Sequence, residues 1–158
     1  MAAGLATVIG VLVVATGLGL WWRRRNGQLR TVAGNPSDLP PDLAGLGVRA
    51  GTPVTLLQFS SAFCAPCRAT RRICTEVAQQ FQGVEHVEVD AESHLDDVRR
   101  LDIWRTPTVL VVDGTGRIVH RATGTPSKAQ VIAAIAALLP AGAAGERAAV
   151  TADESLSS

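Results

Sequence analysis

From Ala2 to Trp22 the chain reads AAGLATVIGVLVVATGLGLWW, without one charged side chain. At 1.5 Å per helical residue such a run reaches roughly 31 Å, enough to cross a hydrocarbon core. Trp21 and Trp22 fall where an interfacial aromatic belt sits, and Arg23, Arg24 and Arg25 follow at once. A cleaved signal peptide carries its positive charge before the apolar run, and no persuasive A-x-A site precedes the arginines. The pattern therefore predicts an uncleaved transmembrane anchor over residues 1–22, rather than a signal peptide or a buried helix, and a basic juxtamembrane linker over residues 23–27. The positive-inside rule puts the arginine side, and the main domain with it, in the cytoplasm; the alternative is an extracytoplasmic domain. Binding of anionic head groups is a second use for the arginines, and orientation is the plainer one.

Beyond the linker the periods change several times. Gln28 to Ala33 suits a short first strand, and residues 34–53 are loop-like, with a short helix around Pro41–Leu46. Val54 to Phe59, VTLLQF, is a short and almost wholly apolar run, as in a buried central strand of a parallel sheet. From Cys64 to Gln82 the period becomes helical: Cys67, Thr70, Cys74, Val77 and Phe81 recur at three or four, and Arg68, Arg71, Arg72, Glu76 and Gln79 take other positions. Gly83 is the expected terminator. VEHVEVD, residues 84–90, puts Val87 and Val89 on one strand face, and SHLDD after it reads as a helix N-cap at Ser93. Thr108–Val112 and Arg117–Ala122 are strand-like around the hairpin signal DGTG. Ser127 and Gln130 form a capping box for a helix carrying Val131, Ile135, Leu138 and Leu139. The resulting β-α-β-α-β-α-β-β-α order predicts an α/β sheet with helices on both faces. Residues 141–158 have little to bury and are expected to be disordered.

Composition narrows the classes. With 15 Lys and Arg against 14 Asp and Glu the net charge is +1, which implies no nucleic-acid-binding surface. Three cysteines are too few for a secreted disulfide scaffold. Phosphate-binding and nicotinamide-binding motifs are absent, so no cofactor is expected and the domain cannot draw on NADPH itself.

Candidate chemistry concentrates in FCAPC, residues 63–67. Cys64 ends a strand-to-helix turn, and Cys67 lies one helical turn later. Unpaired N–H groups and a partial positive charge at a helix start both favour a thiolate, so the Cys64 pKa is expected to be depressed. Pro66 falls in the first turn, where a missing N–H is harmless. Half of a zinc site and two incidental core cysteines are the competing readings. No second C-x-x-C exists, and only His86, His94 and His120 are on hand to complete a metal tetrahedron. The placement between strand and helix favours redox chemistry.

From about residue 28 to residue 140 the chain resembles the thioredoxin family. The resemblance rests on FCAPC after VTLLQF, on TPT with Pro107 ahead of TVLVV, on the DGTG hairpin and on Gly124 before the last helix. It implies a thioredoxin-like fold, a central mixed sheet flanked by helices, in a domain spanning residues 28–140. It implies Cys64 as attacking thiol, Cys67 as resolving thiol, and Pro107, after Thr106, as a cis-proline facing the disulfide. Departures are informative. Phe63 replaces the usual Trp, Ala65 the usual Gly, and Gln58 the buried Asp six residues before the first cysteine. His86 matches the family's neighbouring Lys; it could relay protons, although a strand histidine pointing at solvent or a partner is the plainer reading. Cys74 lies about 10 Å along the helix from Cys67 and reads as a small core residue.

A membrane-anchored thiol–disulfide oxidoreductase is the function so implied. Its partners are protein disulfide or dithiol substrates, an external reductant and, through residues 2–22, a membrane. A redox-silent binding module and a thiol-based metal or haem-maturation chaperone are the alternatives.

Overall fold

In a computed structural model of the protein, residues 2–25, 27–32 and 42–139 are described, with α1 spanning Ala2–Arg25. Within α1 the side chains of residues 8–21 are exposed. Among the described residues no helix is long and apolar enough to cross a membrane. The tail, residues 141–158, and most of the loop before Asp42 lie outside the described residues.

Among the described residues five strands follow: β1 (Leu29–Thr31), β2 (Val54–Ser60), β3 (Val84–Asp90), β4 (Thr108–Asp113) and β5 (Ile118–Thr123). They lie in the order β1-β5-β4-β2-β3. Only β2 and β3 are parallel, in the register Leu56↔His86 and Gln58↔Glu88. The β2–β4, β4–β5 and β1–β5 pairs are antiparallel, so the sheet is mixed. β2 therefore has one parallel and one antiparallel neighbour, which accounts for its burial along all seven residues. Both faces are covered there, so apolar side chains dominate, with Thr55, Gln58 and Ser60 buried among them.

Helices α2 (Ala65–Gln80) and α4 (Lys128–Ala136) cover one face. Val54, Leu56, Val109 and Val111 meet Cys74, Val77, Val131 and Ile135 there. On the other face Leu57, Phe59, Leu110 and Val112 pack with Leu43, Leu46, Leu101 and Ile103. The last four come from a 3-10 turn, Ala44–Leu46, its preceding residue, and the segment after α3 (Leu95–Arg100). Each fully buried Leu, Val or Phe contributes about 1.5–3 kcal/mol of transfer free energy, so alternation along β2 and β4 ties both layers to one sheet.

Several boundaries differ from expectation. α2 ends at Phe81, whose extended backbone breaks the helix, rather than at Gly83. Gly83 instead supplies the positive φ (79°) of the turn into β3, with its Cβ position only 3.0 Å from Pro53. His94, not Ser93, is the N-cap of α3. The Ser93 hydroxyl is drawn back to the Asp90 carboxylate, which caps the end of β3. Of the helix expected around Pro41–Leu46, the described residues show the 3-10 turn, and Pro41 lies outside them. Ser127 and Gln130 do make the capping box of α4. Gly27 is buried with its amide bonded to Thr123 O, and a Cβ there would lie 2.0 Å from Thr125 O.

Candidate functional site

The cysteine pair stands where β2 passes into α2. Ser61 to Cys64 turn the chain, with Phe63 in the left-handed region at φ 59° and its side chain fully exposed. Such a backbone costs about 1–3 kcal/mol in a bulky residue, and strain of this kind clusters at functional sites. Cys64 is the N-cap of α2: its sulfur accepts the amide N–H of Cys67 at 3.1 Å. Pro66 sits in the first turn and removes no helical hydrogen bond. A disulfide joins Cys64 to Cys67, with Cα atoms 5.2 Å apart. Cys64 is half-buried and Cys67 buried, so the first sulfur is the accessible one.

Two neighbouring loops are stitched to this turn. The Thr106–Pro107 peptide is cis, and Pro107 is buried. The Thr106 and Ser61 hydroxyls share a hydrogen bond of 2.8 Å, linking the proline loop to the cysteine turn. The Gly124 amide donates to Pro107 O at 2.7 Å, and Thr125 Oγ1 donates to Pro66 O at 3.3 Å. Ser61 and Thr125 carry no motif of their own in the sequence. A hydroxyl next to a motif carries no signal until its distant partner is placed.

Beneath the pair lies a polar stripe on the α2 face of the sheet. Gln58 is fully buried, and its Nε2 donates to Cys67 O at 3.1 Å and to Ser60 Oγ at 2.8 Å. Gln58 Oε1 is thereby left as acceptor toward His86 Nε2, 3.2 Å away. With the proton on Nε2, His86 Nδ1 accepts from the Thr75 hydroxyl at 3.2 Å. His86 therefore faces inward under α2 and not toward solvent or a partner. The parallel register that sets β3 beside β2 decides this, because it turns residues 84, 86 and 88 to the helix. Burial lowers the His86 pKa; Arg71 lowers it further, and Glu88 opposes. Burial works to raise the Glu88 carboxyl, yet hydrogen bonds from Arg71 and Ser60 hold it below its ordinary range. Arg71, although exposed, forms an ion pair with Glu88.

Cys74 is fully buried, as a small core residue should be, and burial pushes its thiol up to about 12. It is free and stays a neutral thiol at physiological pH. Among the described residues no cluster of three or more His, Cys, Asp or Glu is placed to hold a metal ion.

A cysteine pair at a strand-to-helix junction, laced to a cis-proline loop on a mixed sheet, is the arrangement of the thioredoxin-like thiol–disulfide oxidoreductases. The family model described as Thioredoxin matches residues 47–137. Thioredoxin M3, chloroplastic, of Oryza sativa subsp. japonica is 35% identical over 81 residues, 51% of this chain and 46% of that protein. Thioredoxin C-2 of Corynebacterium nephridii is 31% identical over 87 residues, 54% of this chain and 79% of that protein. A mutant thioredoxin from Halobacterium salinarum NRC-1 superposes with a TM-score of 0.54 at 17% identity, over 63% of this chain and 87% of that one. Thioredoxin NaTrxh from Nicotiana alata gives 0.50 at 20% identity, over 55% and 74%. At these identities the superpositions speak for the fold alone. The chain spans about half the length of the rice relative. It belongs to the thioredoxin family.

Proposed function

We propose that this chain is a membrane-anchored thiol–disulfide oxidoreductase that exchanges disulfides with protein substrates through Cys64 and Cys67. The observation that carries the reading is the closed Cys64–Cys67 pair at the start of α2, with the Cys67 amide donating to Cys64 Sγ. A donor already aimed at that sulfur stabilises a thiolate there once the pair is reduced.

From the dithiol form, the Cys64 thiolate attacks one sulfur of a substrate disulfide. The other substrate sulfur leaves as a thiolate and takes a proton from water, and a mixed disulfide remains. Cys67, after losing its proton, attacks Cys64 Sγ and expels the second substrate thiolate. The pair has lost two electrons and the substrate has gained them. An external dithiol reductant restores the pair, and the same steps in reverse oxidise a substrate. Phe63, exposed beside Cys64, and Pro107 border the place where substrate must approach.

Anchoring is supported by the uncharged sequence from Ala2 to Trp22 and by its helical course in α1. The arginines after Trp22 favour a domain on the cytoplasmic side.

Reduction of insulin disulfides by the full chain with dithiothreitol as reductant tests the activity. Wild type is expected to turn over, Cys64→Ser to be inactive, and Cys67→Ser to accumulate a mixed disulfide visible on a non-reducing gel. An inert wild-type protein would instead favour a redox-silent module. Trapping by Cys64→Ser alone would reverse the two roles.

A further inference from the structure

On the face of the sheet that packs against α3, a cleft of about 320 Å³ opens at the β1–β5 edge. It is lined by Gln28, Arg30, Val32, Arg105, Arg121 and Thr123. Three guanidinium groups line it, and no carboxylate does among the described residues. Arg30 and Arg121 are direct cross-strand partners in the antiparallel β1–β5 register. Like charges directly opposite one another destabilise a sheet, so the pair needs a reason.

Arg121 has a structural one. Its guanidinium donates to Leu101 O and, at 2.9 Å, to Asp102 O, the carbonyls that follow α3. Those bonds neutralise no charge, and they hold the group in place against the cleft. They leave the charge opposite, on Arg30, unexplained. Arg30 is exposed and pairs with no carboxylate of the described residues. Arg105 lines the cleft from the proline loop and has a partner of its own. The remaining polar lining, Gln28 and Thr123, also offers hydrogen-bond donors.

The position of the cleft is as telling as its charge. Arg105 adjoins Thr106, which is bonded to Ser61 of the cysteine turn. Thr123 is the strand partner of Thr108, and Gly124 next to it donates to Pro107 O. The cleft thus begins at both flanks of the cis-proline. A polypeptide engaged at the disulfide has a short path into it.

We propose that this cleft docks an acidic segment of the protein substrate, with Asp or Glu carboxylates set against Arg30 and Arg121. The proposal rests on the oxidoreductase reading above. Guanidinium forks match carboxylates in a bidentate way, and a partly shielded cleft screens the attraction less than an open surface does. Exposure of Arg30 keeps the effect of any single pair modest and sensitive to salt.

The test uses the full chain in zwitterionic detergent micelles and two readouts. In the first, fluorescein-labelled cysteine-free peptides, one Asp/Glu-rich and one Lys-rich, are titrated and followed by anisotropy. The acidic peptide is expected to bind more tightly, and more weakly in 300 mM than in 50 mM NaCl. Arg30→Gln is expected to weaken it about two- to fivefold, in keeping with one exposed charge pair. In the second, kcat/KM is measured for cystine peptides with acidic or neutral flanks. Arg30→Gln should lower the value for the acidic peptide by a similar factor and leave the neutral one unchanged. Equal binding of both labelled peptides, or an Arg30→Gln protein that binds the acidic one as wild type does, overturns the proposal. So does an Arg30-dependent attachment to anionic phosphatidylserine vesicles without peptide preference, which would assign the cleft to lipid. Loss of all turnover with acidic-peptide binding intact would fault the oxidoreductase reading and leave the cleft standing.

Discussion

The buried amide of Gln58 donates to the carbonyl of Cys67 at 3.1 Å, so strand β2 holds the first turn of α2 from beneath. One side chain thereby connects Cys67 to His86 and Ser60. The group is polar, fully buried and unable to take a proton, which separates positioning of the pair from proton storage at this place.

Gln58→Leu should therefore destabilise the protein through lost partners rather than lost volume. It strands the His86 Nε2–H and takes the second donor from Cys67 O, and an unsatisfied buried group costs about 1–3 kcal/mol. Urea unfolding of the oxidised protein measures this. A midpoint equal to wild type would show that water replaces the amide without penalty.

Acid should act in two separate windows. The folded-state pKa of His86 lies below its ordinary value of 6.5, so the unfolded chain binds that proton first. Stability is then lost as the pH falls through about 6.5 toward the folded value. The Glu88 pKa is likewise lowered from 4.5, so its contribution is present above that pH and fades only below it. Between pH 7.5 and 5.5 the slope from this network belongs to His86. Comparison of urea midpoints at those two pH values, in wild type and His86→Asn, should show a shallower loss in the variant. An equal loss would remove His86 as the cause.

Cys74→Ala should keep turnover and cost on the order of 1 kcal/mol, as for a small buried side chain. A thiol pushed up to about 12 and fully buried reacts slowly as well. After reduction, iodoacetamide at pH 8 should alkylate Cys64 well before Cys74, as peptide mapping would report. Early alkylation of Cys74 in folded protein would contradict its burial.

Topology is open to a direct chemical check. With the domain on the cytoplasmic side, a membrane-impermeant maleimide should label Cys64 only after cell lysis. Labelling in intact cells would put the domain outside, with the exchange chemistry unchanged.

The amino-acid pattern alone determined the alternation of strands and helices, the placement of Cys64 and Cys67 at a helix start, and the capping box at Ser127. Each of these is local: periodicity, capping and turn chemistry act within a few residues, so a linear reading reaches them. Boundaries such as Phe81 and His94 escaped because competing local contacts, the Phe81 backbone and the Ser93–Asp90 bond, differ by little energy. Tertiary structure decided the rest. His86 turns inward because β3 runs parallel to β2 in a register that sets it against Leu56 and beneath α2. Arg30 meets Arg121 because β1 joins the far edge through β5, across 91 residues of chain. Thr106 finds Ser61 across a separation of 45 residues. Such encounters depend on strand order and register, which the whole hydrophobic core sets and no short stretch of sequence contains.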